Sequence, residues 1–422
     1  MQTEIITIGD ELLIGQVIDT NSAWMGQQLN LSGIHVKQIT SVSDDKQHII
    51  DTLNTATLRA DIILITGGLG PTKDDITKQT LCEFFNSDLI FNENIYKNVE
   101  RLFKSRGLEV TKLNKQQAMV PDNCIAIQNS AGTAPGMWFE KGNKIYVSMP
   151  GVPYEMKSMM VDSIIPMLKK KYQLPAILHK TVLTQGMGES FLSELIGQWE
   201  TSLENESIKL AYLPSPGIVR LRLSATGTDA QLLNKKVDEK IEELKKIIPK
   251  YIYGFEIYGE GQETLQEITG KLLKEKKKTL CIAESCTGGY IAHLITSIAG
   301  SSEYFCGSIT PYLNRIKTEI LKVNEHDILK YGAVSKEVVE QMISGALQLF
   351  GADYAIAVSG IAGPAGGTKE KPVGTVWIGI GNKEKKVVEK YLFGENRERT
   401  IHKTAITALN MLRKELIPIR HI

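Results

Sequence analysis

The sequence predicts an α/β protein with two three-layer α/β/α domains joined by a small α+β unit, and three observations predict it. Residues 1–170 alternate strand-like and helix-like patterns, residues 171–254 break the alternation with a hairpin, and residues 255–422 resume it. The chain of 422 residues also exceeds one ordinary domain, so about two to four units are expected.

The first domain begins with the strand pattern "EIITIG", a helix near 20–30, the strand "IHVKQIT", a helix near 45–58 and the strand "DIILITGG". The apolar run Ile62 to Ile65 ends at Gly67-Gly68, so the next loop leaves the carboxyl end of a buried strand, where open α/β sheets place ligands. In the middle unit "HKTVLTQG" reads as a strand and 188–198 as a helix. "IKLAYL" and "GIVRLRLSATG" read as a hairpin turning at Pro214–Gly217, and 228–247 as a long charged amphipathic helix. "YGEGQET", 258–264, reads as a linker. Beyond it a helix runs to about 277, followed by the strand "TLCIAES", the helix "TGGYIAHLITSIA", the strand "EYFCGSIT" and a helix from Asn314. A helix over 335–351, the strand "ADYAIAVSG", hairpin strands in "VGTVWIGIG" and "KVVEKYLF", and a closing helix over 397–417 complete the second domain.

Charge balance narrows the partners. With 49 basic against 48 acidic side chains, a net charge of +1 removes the electrostatic argument for a polyanion, so nucleic acid is not an expected partner. No apolar run is long enough to cross a bilayer, and "MQTEIITIGDELL" lacks the pattern of a signal peptide. The five cysteines include no C-x-x-C pair, which fits reduced thiols, and a cytoplasmic location is expected. The seven histidines form no H-E-x-x-H pattern, so a conventional zinc site is not expected.

The loop "TGGLGPTKDDIT", 66–77, is the first candidate site. Glycines without Cβ let backbone N–H groups approach phosphate, and Asp74 and Asp75 offer carboxylates to a divalent ion such as Mg2+ or Co2+. It is not a P-loop, since no Gly-Lys-Ser/Thr follows at the required spacing, and Asp74 or Asp75 also suits a helix cap. "GDELLIGQVIDTN" at 9–21, "SDD" at 43–45, "GTAPG" at 132–136 and "MPGVPYEM" at 149–156 add further loops. As a set these motifs resemble the molybdopterin-binding, MoCF-type domain over residues 1–170. The resemblance implies that Gly67, Gly68, Gly70 and Asp75 hold a phosphorylated ligand, with Asp44 as acidic partner. The middle unit resembles a KH-type module, but "GMGES" lacks the G-x-x-G clamp that grips a nucleic-acid backbone.

The second candidate site is "AESCTGG", 283–289. Ser285 leaves an apolar strand and enters a helix through Thr287-Gly288-Gly289, so its Oγ should be exposed and helix-start N–H groups free for an oxyanion or phosphate. Cys286 is the rival nucleophile, but adjacent strand side chains point to opposite faces, and no histidine is placed to pair with it. "PYLNRIK" offers Tyr312, Arg315 and Lys317, and a desolvated lysine can act as base toward serine. "SGIAGPAGG", 359–367, follows another apolar strand, so Ser359 and Gly360 should lie beside Ser285 and contact substrate.

These motifs, with "KPVGTVW" and an arginine-bearing last helix, resemble the carboxy-terminal domain of the competence/damage-inducible CinA family. The whole chain resembles that family's full-length form. The resemblance implies deamidation of nicotinamide mononucleotide through Ser285, Tyr312 and Lys317, with Arg399 reaching the substrate and no organic cofactor. It further implies a metal-dependent ADP-ribose pyrophosphatase at the amino-terminal site, small nucleotides as ligands, and a homodimer. Leu313 stands where serine is usual in the family, and Ser359 where threonine is usual. A non-catalytic binding or scaffold protein is the alternative, and it predicts partner binding without turnover.

Overall fold

Strands that read as unbroken apolar runs lie in the centre of parallel sheets here, because helices cover both faces. In the computed structural model, which describes residues 1–422 except 73–74, 106, 259–260 and 418–422, Ile62–Thr66 is buried along its whole length. Among the described residues the first sheet has six strands, in spatial order His35–Val42, Gln2–Ile8, Ile62–Thr66, Lys144–Met149, Gly136–Lys141 and Ile125–Ile127. The first four run parallel, Gly136–Lys141 runs opposite to them, and Ile125–Ile127 pairs antiparallel with that strand. Alternate residues feed opposite faces: Ile62 and Leu64 pack with Met25, Leu29 and Leu168, while Ile63 and Ile65 pack with Leu53, Leu81 and Phe139. The hairpin of Gly136–Lys141 and Lys144–Met149 was not expected from the sequence, where only its flanking loops stand out.

The middle sheet runs Lys209–Ser215, Ile218–Gly227, Ala176–Gln185, Ile252–Ile257 and Gly261–Gln262. Its hairpin turns tighter than expected: Pro214 pairs with Val219 and Ser215 with Ile218, leaving Pro216 and Gly217 at the tip, with Gly217 at φ +85°. The expected linker also departs from expectation, since Gly261–Gln262 pairs with the strand before it; Gly259 and Glu260 of that segment lie outside the described residues.

The last sheet runs Phe305–Ile309, Leu280–Glu284, Tyr354–Gly360, Thr375–Gly381 and Lys386–Leu392; the first three are parallel, and Thr375–Gly381 pairs antiparallel with both of its neighbours. One face carries the helix Lys336–Phe350, whose Val339 and Ile343 pack on Ala283 and Ala357. The other carries the helix Arg397–Leu416, whose Leu409 and Leu412 pack with Ile282 and Val358. Leu183 and Tyr253 of the middle sheet belong to this same cluster, and Gln185 hydrogen-bonds to Thr407 and Asn410. The chain divides into two compact bodies, Met1–Leu178 with Thr226–Leu233, and His179–Ala225 with Asn234–Ile422. Among the described residues no helix is long and apolar enough to cross a membrane.

A buried ion pair braces the first sheet. Glu4 accepts from Arg59 Nε at 2.7 Å and Nη2 at 2.6 Å, and from the Thr40 hydroxyl at 2.7 Å. Burial pushes the Glu4 carboxyl up, but these hydrogen bonds and the guanidinium charge hold it below its usual value. Its contribution is therefore present above the unfolded carboxyl pKa and lost as pH falls through the lower folded value. Arg59→Met should cost about 3 kcal/mol at neutral pH, and the deficit should shrink near about pH 4, where the orphaned carboxyl protonates. Urea denaturation at both pH values checks this, and an equal deficit at the two would contradict it.

Candidate active site

Leu280–Glu284 lies between two parallel neighbours, so its carboxyl end opens in the middle of the parallel part of the sheet. The Ser285 N–H, immediately beyond, donates to the Val358 carbonyl at 3.1 Å and keeps that residue in the sheet's grip. The chain then turns sharply through Gly288 at φ +63° and Gly289 at φ +99°, a left-handed conformation that favours glycine, into the helix Tyr290–Thr296.

Glu284 shapes this corner, and sequence reasoning missed it. Its carboxylate is fully buried and accepts from the N–H groups of Gly289 at 3.2 Å, Ile291 at 3.0 Å and Ala292 at 2.8 Å. The helix-start amides expected to be free for an oxyanion or phosphate are thus already taken. The N–H groups of Cys286 and Thr287, earlier in the turn, have no acceptor among the described residues, and Thr287 Oγ1 is buried without a partner.

Lys317 enters from the short helix Asn314–Glu319 and is 1% exposed. Its Nζ donates to the Pro311 carbonyl at 2.7 Å, the Ser285 hydroxyl at 3.3 Å and the Tyr312 carbonyl at 3.4 Å, and no carboxylate pairs with it among the described residues. Burial therefore holds its pKa below the ordinary lysine value. Contrary to the expectation of an exposed Oγ, Ser285 is only 9% exposed, because the turn folds it against Lys317 and the two share one sheltered spot.

The other expected residues divide. Cys286 joins the core cluster under the sheet, where burial pushes its thiol up to about 12, so it carries negligible thiolate near neutrality. Gly360 is needed for packing: a Cβ there would lie 3.0 Å from Cys286 Sγ and 2.7 Å from Val376 Cγ2. The Ser359 hydroxyl donates to the Ala333 carbonyl at 2.7 Å, which commits its proton within the protein. Tyr312 offers Lys317 its carbonyl, while its phenol, 57% exposed, accepts from Arg397 Nη2 at 3.2 Å. Arg397 also donates to the Gly363 carbonyl at 2.9 Å. The arginine in contact with this group is Arg397; Arg399, expected to reach the substrate, is exposed, and its backbone N–H donates to the Asn396 side chain. A 180 Å³ cavity lined by Gly381, Tyr391 and Lys414 lies at the far end of the same strands and touches none of these residues.

At the amino-terminal loop, Gly67 and Gly68 have φ +119° and +62°, and a Cβ would lie 2.1 Å from the Ile8 carbonyl oxygen or 2.1 Å from Thr77 Oγ1. Asp75 is spent on its own loop: Oδ1 accepts from the Gly70 N–H at 2.8 Å, and Oδ2 from the Thr72 N–H at 2.9 Å and hydroxyl at 2.5 Å. It does not cap the helix Thr77–Phe85, whose start has no side-chain cap. Asp44 exchanges backbone–carboxylate hydrogen bonds with Asp10 at 3.1 and 3.3 Å. Burial and the charges of Asp10, Glu11 and Asp75 push its carboxyl up against the opposing Asp10 hydrogen bond. Asp74 lies outside the described residues. Among the described residues, which leave out Asp74, no group of three acidic, thiol or imidazole side chains converges as a metal cage.

A glycine-loop α/β domain, a KH-like sheet and an α/β domain with a buried serine–lysine pair define a multidomain protein of the competence/damage-inducible class. The family models for the probable molybdopterin binding domain, the damage-inducible protein CinA KH domain and the CinA C-terminal domain match residues 4–170, 179–254 and 262–416. A CinA-like protein of Flavobacterium psychrophilum is 48% identical over 99% of both chains. Another from Cytophaga hutchinsonii is 45% identical over 99% of this chain and 98% of its own. The chain belongs to the CinA family. Among solved structures, the competence/damage inducible protein CihA of Agrobacterium tumefaciens is 36% identical, covering 36% of this chain and 94% of its own, with a TM-score of 0.35.

Glu284→Ala would leave three helix-start amides without their acceptor. We expect a loss of roughly 2 kcal/mol or more in urea denaturation, and an unchanged midpoint would contradict the capping role.

Proposed function

We propose that the carboxy-terminal domain hydrolyses the carboxamide of nicotinamide mononucleotide, with Ser285 as nucleophile and Lys317 as its base. The observation that carries the reading is the 3.3 Å contact between the Lys317 amine and the Ser285 hydroxyl, both buried and without a carboxylate. An amine desolvated in this way loses its proton more readily than an ordinary lysine, and the neutral form accepts the hydroxyl proton.

In the first step the Ser285 oxygen attacks the carboxamide carbon while its proton passes to Lys317 Nζ. The oxyanion that forms is met by the N–H groups of Cys286 and Thr287. Collapse breaks the C–N bond, Lys317 returns the proton to the leaving nitrogen, and ammonia departs from an ester on Ser285. Water, deprotonated by the same amine, then cleaves the ester and releases the carboxylate. Arg397, bridging Tyr312 and Gly363 at the exposed edge, supplies the positive charge for the substrate's phosphate.

Ser285→Ala should lower ammonia release by about a thousandfold or more with the fold intact, whereas Cys286→Ala should retain most of it; the reverse outcome would move the nucleophile to the thiol. The wild-type rate should climb with pH as Lys317 deprotonates, with a midpoint below 10.5. Lys317→Met should remove that climb, and a pH profile unaltered by it would remove the lysine from the reaction.

For the amino-terminal domain we infer hydrolysis of the pyrophosphate of ADP-ribose, in a chain that acts as a homodimer. Support comes from Gly67 and Gly68, whose backbone conformations and tight surroundings exclude side chains beside the loop amides. A divalent ion belongs to this proposal through the family resemblance, but with no cage among the described residues no step is assigned to it. Wild-type protein supplied with ADP-ribose and Mg2+ should release AMP, and Gly68→Val should abolish that while leaving ammonia release from nicotinamide mononucleotide intact. Absence of AMP from the wild type would remove the second activity.

A further inference from the structure

The strand Ile218–Gly227 of the middle sheet has one closed face and one open face. Val219, Leu221, Leu223 and Ala225 are buried, whereas Arg220, Arg222 and Ser224, which alternate with them, are partly exposed and share the opposite face. Cross-strand pairing puts only Leu213 and Ala211 opposite the two arginines, with Lys209 opposite Ser224. On the other flank His179 Nδ1 lies 2.7 Å from the Ser224 hydroxyl, and the Tyr258 ring meets the His179 ring edge-on at 5.1 Å.

Both guanidinium groups are short of acceptors. Arg222 makes no hydrogen bond or ion pair among the described residues, and its Nε is buried without a partner. Arg220 has one carboxylate neighbour, Glu256, at 3.7 Å, too far for a hydrogen bond, and its Nε is likewise buried and unpartnered. Burial, and then the Arg222 charge, hold the His179 imidazole below its ordinary value, so it adds little charge of its own near neutrality. Two guanidinium charges thus stand against one carboxylate on this face. Donors in that state are uncommon in folded proteins, and an anion with several oxygens relieves both at once.

Spacing and side-chain type narrow the anion. Residues two apart on one face of a strand stand about 7 Å from each other, a gap that a single tetrahedral oxyanion bridges when both side chains turn toward it. The planar guanidinium fork matches phosphate oxygens two at a time, which a lysine in either place could not do. A polymer is the poorer fit, since the chain has a net charge of only +1 and the middle unit lacks the G-x-x-G clamp that grips a nucleic-acid backbone.

We propose that the open face of the middle sheet binds the phosphate group of a small anionic ligand between Arg220 and Arg222. Glu256 partly offsets Arg220, which makes Arg222 the principal contact, and Lys209 adds positive charge at the edge of the site.

Nitrogen-edited NMR of the arginine-labelled full-length protein, titrated with inorganic phosphate at constant ionic strength, follows the Nε–H signals of both side chains. The Arg220 and Arg222 signals, assigned by their loss in Arg220→Lys and Arg222→Lys, should shift together and saturate with a Kd of roughly 1 mM. In Arg222→Lys, which keeps the charge but not the fork, the Arg220 signal should need about fivefold more phosphate or beyond to reach the same shift. Unperturbed signals of the remaining arginines report that each variant is folded. Gly68→Val and Arg397→Met, which alter the two anion sites argued above, should leave this titration unchanged and so separate the new site from them. Shifts that never saturate, or an Arg220 curve indifferent to Arg222→Lys, would overturn the proposal. Signals that ignore phosphate but move with a short oligothymidylate would overturn it too, in favour of a nucleic-acid surface.

Discussion

An amine sealed away from water beside a hydroxyl is the constraint on which the carboxy-terminal domain turns. Lys317 is almost completely buried, and among the described residues its amine donates to the Pro311 and Tyr312 carbonyls and the Ser285 hydroxyl, with the Cys286 thiol nearby and no carboxylate paired with it. A protonated amine in such surroundings has lost much of its hydration without gaining a counter-charge, so burial shifts it toward the neutral form. That electrostatic expense is what supports the proposed role of Lys317 as a base. The same environment keeps the neighbouring thiol protonated, which separates Ser285 from Cys286 chemically as well as geometrically.

The scaffold holds this pair by means that cost the site nothing. Ser285 is anchored to the adjoining strand through its own N–H, and the strand before it is buried on both sides. Glu284 then fastens the following helix to the strand end by three hydrogen bonds. A carboxylate at a helix start is stabilised by the helix dipole and by the unpaired amides there, so this buried charge is compensated without a cation. One consequence is electrostatic: the helix start is no longer an anion site. The positive charge available at the mouth of the site is instead Arg397, held by Gly363 and Tyr312.

Much of this was legible in the sequence because its signals are local. Apolar runs ending in glycine mark strand ends, and the run before Ser285 and the run before Gly67 both end at loops on the carboxyl edges of their sheets. The expectation that strand alternation would separate Ser285 from Cys286 does not apply, since the strand ends at Glu284; it is the turn beyond it that brings the hydroxyl to Lys317 and the thiol into the core cluster. What was not legible depends on direction in space. The choice between Arg397 and Arg399 rests on which side of one helical turn faces Tyr312. Which amides Glu284 meets depends on the angle between strand and helix, and Asp75, a candidate helix cap in sequence, instead accepts from Gly70 and Thr72 of its own loop. The strands Gly136–Lys141 and Lys144–Met149 were overlooked because the glycine and proline loops on either side carry the stronger punctuation.

The residue that carries the acyl group during turnover distinguishes a serine from a thiol nucleophile. Acid-quenching the protein within its first turnovers of nicotinamide mononucleotide and mapping the modified peptide by mass spectrometry reads that directly. An ester of the nicotinic acid nucleotide on Ser285 is the predicted result. An adduct on Cys286, or steady ammonia release with unmodified Ser285 at every quench time, would contradict it.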